Sequence, residues 1–154
     1  MGLFHLKLIK KLRGFVSWIW RQEGTPAQRS IGMALGIFCG CFPLFGLQTL
    51  LGALLASVFK GNRLLAVLGT WISNPFTYIP LYWLNYKVGS LFIRPVRTVP
   101  SLTDLSRQEL FLHGRLFSIR LFIGSTLVGL LLGTIFGIIL YLILRKRYVF
   151  KSRV

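Results

Sequence analysis

Acidic side chains are nearly absent from this chain. Its 154 residues include three carboxylates, Glu23, Asp104 and Glu109, and two histidines, His5 and His113. Paired-carboxylate acid–base chemistry, a Ser-His-Asp arrangement and a cluster of metal ligands cannot be assembled locally from so few groups. No catalytic residue, metal site or cofactor is therefore expected, and the chain does not read as an enzyme. Proton coupling is disfavoured on the same ground, since relays inside membranes run through carboxylates or histidine. Cysteine is scarce as well. Cys39 and Cys41 flank a single glycine in an apolar run with no His or acid close in sequence, and they read as small packing residues rather than a redox pair or zinc ligands.

What the chain does have is apolar bulk and positive charge. Apolar residues make up 54%, with 16 glycines and only 14% charged residues, and the mean hydropathy is +0.66. That is too apolar for an ordinary soluble domain of this size, so an all-α integral membrane protein is expected. Nineteen Lys and Arg give a net charge of +16. They flank apolar stretches and no nucleic-acid module accompanies them, so they read as topology and anionic-lipid determinants, with no nucleic-acid partner.

Two long uncharged stretches, 30–59 and 64–86, are each interrupted by proline beside a carboxamide: Pro43-Leu44-Phe45-Gly46-Leu47-Gln48-Thr49 and Trp71-Ile72-Ser73-Asn74-Pro75-Phe76-Thr77. Proline in mid-run breaks the helical ladder, and freed backbone groups at bilayer depth are tolerated only inside protein or beside a cavity. Thr25-Pro26-Ala27-Gln28 has the spacing of a capping box, so a helix starts at Pro26 and stops before Pro43. At 1.5 Å per residue it is about 25 Å long, short of a core of about 30 Å, and pairs with the following limb as a deep hairpin. Lys60-Gly61-Asn62-Arg63 is a polar turn, Gly61 ending one helix and Asn62 capping the next. Asn74 reads as an N-cap and Pro75 as the first residue of a helix through Tyr78, Tyr82, Tyr86 and Gly89.

The expected organisation has four parts. Residues 1–24 form a basic amphipathic helix, with Phe4, Leu8, Ile9, Leu12 and Phe15 opposite Lys7, Lys10 and Lys11; it lies in the membrane interface or packs on the protein's own core. Residues 25–93 hold two proline-broken, partly re-entrant hairpins. A polar loop covers 94–120. Residues 121–154 form a Gly-rich transmembrane helix with a basic tail, its 24 uncharged residues 121–144 being ample for one crossing. Gly32, Gly36 and Gly40 on the first helix and Gly129, Gly133 and Gly137 on the last form side-chain-free stripes, expected to pack against each other. Both termini are basic and read as cytoplasmic, which requires an even number of crossings. One consistent path makes the first hairpin re-entrant, the second stretch an outward crossing and the last helix the return.

The two break motifs, with Gly69-Thr70-Trp71, Pro80-Leu81-Tyr82, Tyr86-Lys87-Val88-Gly89 and the Gly-rich final helix with its basic tail, resemble a bacterial inner-membrane family, domain of unknown function 2062. The resemblance covers most of the chain after Thr25 and implies a multi-pass protein of the bacterial cytoplasmic membrane. It brings no activity with it. Some related domains look to be joined to glycosyltransferases, which hints at envelope lipids or glycans by association alone; no such catalytic domain lies in these residues.

Two classes of function remain. In one, a lipid- or envelope-glycoconjugate-handling or transport module, Gln48, Thr49, Thr70, Ser73, Asn74 and Thr77 line a polar site while Lys60, Arg63 or Arg94 engages an anionic headgroup. Gln48 and Asn74 would then converge at membrane depth. In the other, a scaffold subunit, the glycine faces dock a larger membrane partner or a second copy. The polar residues also have a purely structural use, satisfying the groups that the breaks expose.

Overall fold

The computed structural model describes Gly14, residues 22–93 and 107–151, with side chains of the last helix described over 113–146. The amphipathic N-terminal helix lies outside these residues apart from Gly14 and 22–24, and so does Arg94. Within them the chain is all-helical: α1 (Pro26–Gly40), α2 (Leu47–Val58), α3 (Arg63–Gly69) running into a 3₁₀ turn (Thr70–Ile72), α4 (Tyr78–Ser90) and α5 (Arg107–Lys151).

Helix α1 starts as its capping box dictates. The Thr25 hydroxyl accepts from the Gln28 N–H at 3.2 Å, and the Gln28 side chain accepts from the Thr25 N–H at 2.9 Å. Helix α2 ends in a Schellman motif, the Gly61 N–H reaching back to the Ala56 carbonyl at 2.7 Å. Its left-handed residue is Lys60, with φ +53°, rather than Gly61. Gly61 is needed one position later, where a Cβ would come within 2.8 Å of the Gly32 nitrogen. Asn62 caps α3 as expected, accepting from the Leu65 N–H at 2.9 Å.

Helix α4 starts later than the sequence suggests. Residues 74–77 form a turn in which the Asn74 carbonyl accepts from Thr77 and Tyr78, both at 2.9 Å, and the helix begins at Tyr78. Pro80 is the reason. In a helix begun at Pro75 it would lie in the interior, where it removes a hydrogen bond and clashes with the preceding turn; in one begun at Tyr78 it sits in the first turn, where no bond is lost. The polar loop 94–120 is also corrected, since α5 begins at Arg107 and takes in His113. Its 45 residues extend about 68 Å, and charge within a helix that projects beyond an apolar core is no obstacle to its continuing. Among the described residues, only His113–Lys146 is long and apolar enough to cross a membrane.

The glycine stripes both lie at helix contacts, but not against each other. Gly32, Gly36 and Gly40 face Asn62, Ala66 and Thr70, so α3 runs parallel to α1 at backbone contact. Gly129, Gly133 and Gly137 face Phe38, Ala34 and Ser30 on a different side of α1. Helix α5 is therefore antiparallel to α1, and α1 is held between the two. Further along α5, Gly124 meets the Asn85 carbonyl and Gly89 of α4 meets that of Arg120. Helices α1 and α4 thus lie one after the other along α5, with the α2–α3 hairpin folded back beside α1.

Candidate functional site

This topology brings both proline breaks to one level, where α1 ends, α2 begins, the 3₁₀ turn ends and α4 begins. Gln48 Nε2 donates to Ser73 Oγ at 2.9 Å. One turn away the Thr49 and Thr70 hydroxyls lie 3.3 Å apart. Thr70 commits its proton to the Val67 carbonyl at 2.6 Å, so in that pair Thr49 donates. Four of the six expected site residues, Gln48, Thr49, Thr70 and Ser73, therefore form one polar seam between α2 and the end of α3. Gln48 Oε1 is buried there with no hydrogen-bond partner among the described residues.

Asn74 and Thr77 do not join the seam. Asn74 Oδ1 accepts from the Phe76 and Thr77 N–H groups at 2.9 and 3.2 Å. The Thr77 hydroxyl donates to the Ile72 carbonyl at 2.6 Å and accepts from the Asn74 N–H at 3.0 Å. Their side chains close their own turn, because proline at 75 leaves four residues without a helical ladder and the nearest polar groups fill in. The expected pairing of Gln48 with Asn74 is corrected accordingly: Gln48 meets Ser73, the neighbour of Asn74. Lys60 and Arg63 lie at the far end of α2 and α3, with Arg63 about 10 Å along the helix from Thr70. They stand at the α1 start rather than beside the seam.

A fully buried amide, Asn85, is not among the expected site residues; its Nδ2 donates to the Cys41 carbonyl at 2.8 Å and to Ser125 Oγ at 3.0 Å. It thereby joins the buried C-terminal end of α1 to α5 through α4. The pattern was available: Leu81, Asn85 and Gly89 fall on one face at four-residue spacing, and Gly124-Ser125 sets a hydroxyl beside a close-approach glycine on the last helix. Tyr82 continues the seam towards it, donating to the Phe42 carbonyl at 3.3 Å. Over the outside, Phe45 makes edge contacts with Tyr78 and Tyr82, ring centroids 6.3 and 6.1 Å apart. Cys39 and Cys41 are free and buried, Cys41 in a cluster with Leu81 and Val128.

A family model described as an uncharacterised protein conserved in bacteria, DUF2062, matches residues 9–153. The chain belongs to this family. No curated protein and no solved structure matches it. In this DUF2062 member the family match takes in both break motifs, the seam between them, Asn85 and the whole of α5.

Proposed function

We propose that this DUF2062 member is a multi-pass protein of the bacterial cytoplasmic membrane that holds the polar headgroup of a lipid or envelope glycoconjugate at the helix breaks. The observation that carries the reading is the buried, unpartnered Gln48 oxygen in a seam where two broken helices meet. A bare acceptor in an apolar setting costs roughly 1–3 kcal/mol, which a hydroxyl or ammonium donor from a ligand would offset. The membrane setting is supported by large apolar side chains exposed on every helix, among them Leu54, Leu64, Trp71, Trp83, Leu131 and Leu142. It is further supported by the arrangement of α3 and α4, which run antiparallel to α5 one after the other beside the α1–α2 hairpin, as one interrupted crossing beside a re-entrant pair would. Docking of a partner through the glycine stripes loses its basis, because both are filled by helices of the same chain.

Charge supports the orientation. Arg29, Lys60, Arg63, Arg145 and Lys146 lie at the end of the bundle where α1 starts, and Lys7, Lys10, Lys11, Arg13, Arg21, Arg147, Lys151 and Arg153 precede or follow it in sequence. The other six cations, Lys87, Arg94, Arg97, Arg107, Arg115 and Arg120, fall in sequence between the end of α4 and the apolar run of α5. Thirteen against six favours a cytoplasmic side for the terminal end. Reporter fusions at residues 3 and 152 are expected on the same, cytoplasmic side; opposite sides would remove the interrupted crossing.

The functional reading is tested by native mass spectrometry of protein extracted with its own lipids. Gln48→Leu is expected to lose most retained lipid or glycolipid while keeping most folded protein. Unchanged retention alongside a lowered melting temperature would show that the amide serves only to satisfy the break.

A further inference from the structure

We infer that a second site, an apolar groove between α1 and α5, seats an acyl chain of an anionic phospholipid of the bilayer. The inference rests on the membrane reading but not on the seam. The groove is shallow and open along its length, offers about 290 Å³, and is lined by Ala27, Ser30, Ile31 and Ala34 on one side and by Thr134, Gly137, Ile138 and Tyr141 on the other. It exists because small residues meet there: Gly137 faces Ala34 and Ser30, so the helices touch at their backbones and leave a trough where longer side chains would otherwise interlock.

Length and charge identify the occupant. From Arg145 to Thr134 along α5 is about 16 Å, close to half of a hydrocarbon core of about 30 Å. The groove itself, from Thr134 to Tyr141, covers about 10 Å of that distance, so it lies between the headgroup level and the bilayer centre, within one leaflet. Arg145 stands one turn beyond Tyr141, on the same face of α5, with Lys146 beside it, and both are exposed. Among the described residues, Glu23 is the acid at this end of the bundle. A chain lying in the groove thus has its phosphate beside cations, with little counter-charge among the described residues, and a net-anionic headgroup is favoured over a zwitterionic one.

The test uses the full chain in detergent, titrated with phosphatidylglycerol or phosphatidylcholine and followed by thermal unfolding and native mass spectrometry. Phosphatidylglycerol is expected to raise the melting temperature by roughly 3–5 °C at tenfold excess over half-saturation, with phosphatidylcholine giving less than half of that. Thr134→Trp fills the groove from an exposed position; it should leave the lipid-free melting temperature unchanged and abolish the difference between the lipids. Arg145→Gln with Lys146→Gln should reduce phosphatidylglycerol to the level of phosphatidylcholine. Equal stabilisation of wild type by both lipids overturns the inference, as does a Trp variant that keeps the preference. Dissociation of a dimer by Thr134→Trp would assign the groove to a second copy. A fall in the lipid-free melting temperature of that variant would assign it to another segment of the chain, and either result also overturns the inference. Retention in alkali-washed membranes, scored in parallel, reads the membrane assignment separately.

Discussion

Gly36→Leu is expected to remove nearly all detergent-stable protein. A Cβ on Gly36 already overlaps the Ala66 carbonyl oxygen, and Gly69 on the facing helix is also tight, a Cβ there falling 2.7 Å from the Met33 carbonyl oxygen and 2.8 Å from the Ile37 nitrogen. The obstacle in both cases is backbone, which cannot rotate aside as a side chain can. The cost should therefore lie at or above the upper end of the roughly 1–3 kcal/mol usual for overpacking. Gly133→Leu strikes a different contact, against the Ala34 carbonyl at 2.7 Å, and should be nearly as damaging. Leu130→Ile alters a side chain that is 54% exposed and should be neutral. Folded yield by size-exclusion fluorescence ranks the three, and equal tolerance would remove the close-packing account.

Asn85→Leu is expected to destabilise by about 2 kcal/mol, read as a lowered unfolding temperature, because it strands the Cys41 carbonyl and the Ser125 hydroxyl in a buried setting. The Cys41 carbonyl belongs to the end of α1, where no further helical turn supplies a donor. Ser125→Ala, which keeps the bond to Cys41, should cost about 1 kcal/mol or less. Asn74→Leu opens a turn whose hydrogen bonds lie in an exposed segment and should cost about as little. The order of Asn85 before the other two is the discriminating result. An Asn85→Leu variant as stable as wild type would mean that water or relaxation supplies the missing partners.

Legibility followed the range of the interaction. The capping box at Thr25, the Asn62 cap and the break before Pro43 were all readable because each is settled by groups within four residues of one another. The start of α4 is equally local, since Pro80 is as visible in the sequence as Pro75 and sets the first turn at Tyr78. The beginning of α5 lies outside its apolar run, because a helix ends where its hydrogen-bond ladder stops and not where its side chains turn polar. In the candidate site, Gln48, Thr49, Thr70 and Ser73 were correctly marked as groups in need of partners, but their pairing was not. Asn74 was assigned to Gln48, and the turn's own N–H groups had the prior claim on its oxygen.

By itself the sequence determined the helical class, the positions of the breaks, and the presence of two faces able to accept a helix at backbone distance. Those properties depend on proline geometry, on capping spacing and on the absence of Cβ atoms, none of which requires knowing what lies opposite. Which helix each face accepts was decided only in three dimensions. A glycine stripe is a permissive surface that any backbone can approach, and it carries no mark of its partner. The short turn through Lys60 and Gly61 folds α3 back along α1, so the Gly36 face meets α3 and α5 packs on Ser30, Ala34 and Phe38. Asn85 acquired its partners in the same way: its amide is polar anywhere, but only the meeting of α1, α4 and α5 leaves a helix-end carbonyl within its reach.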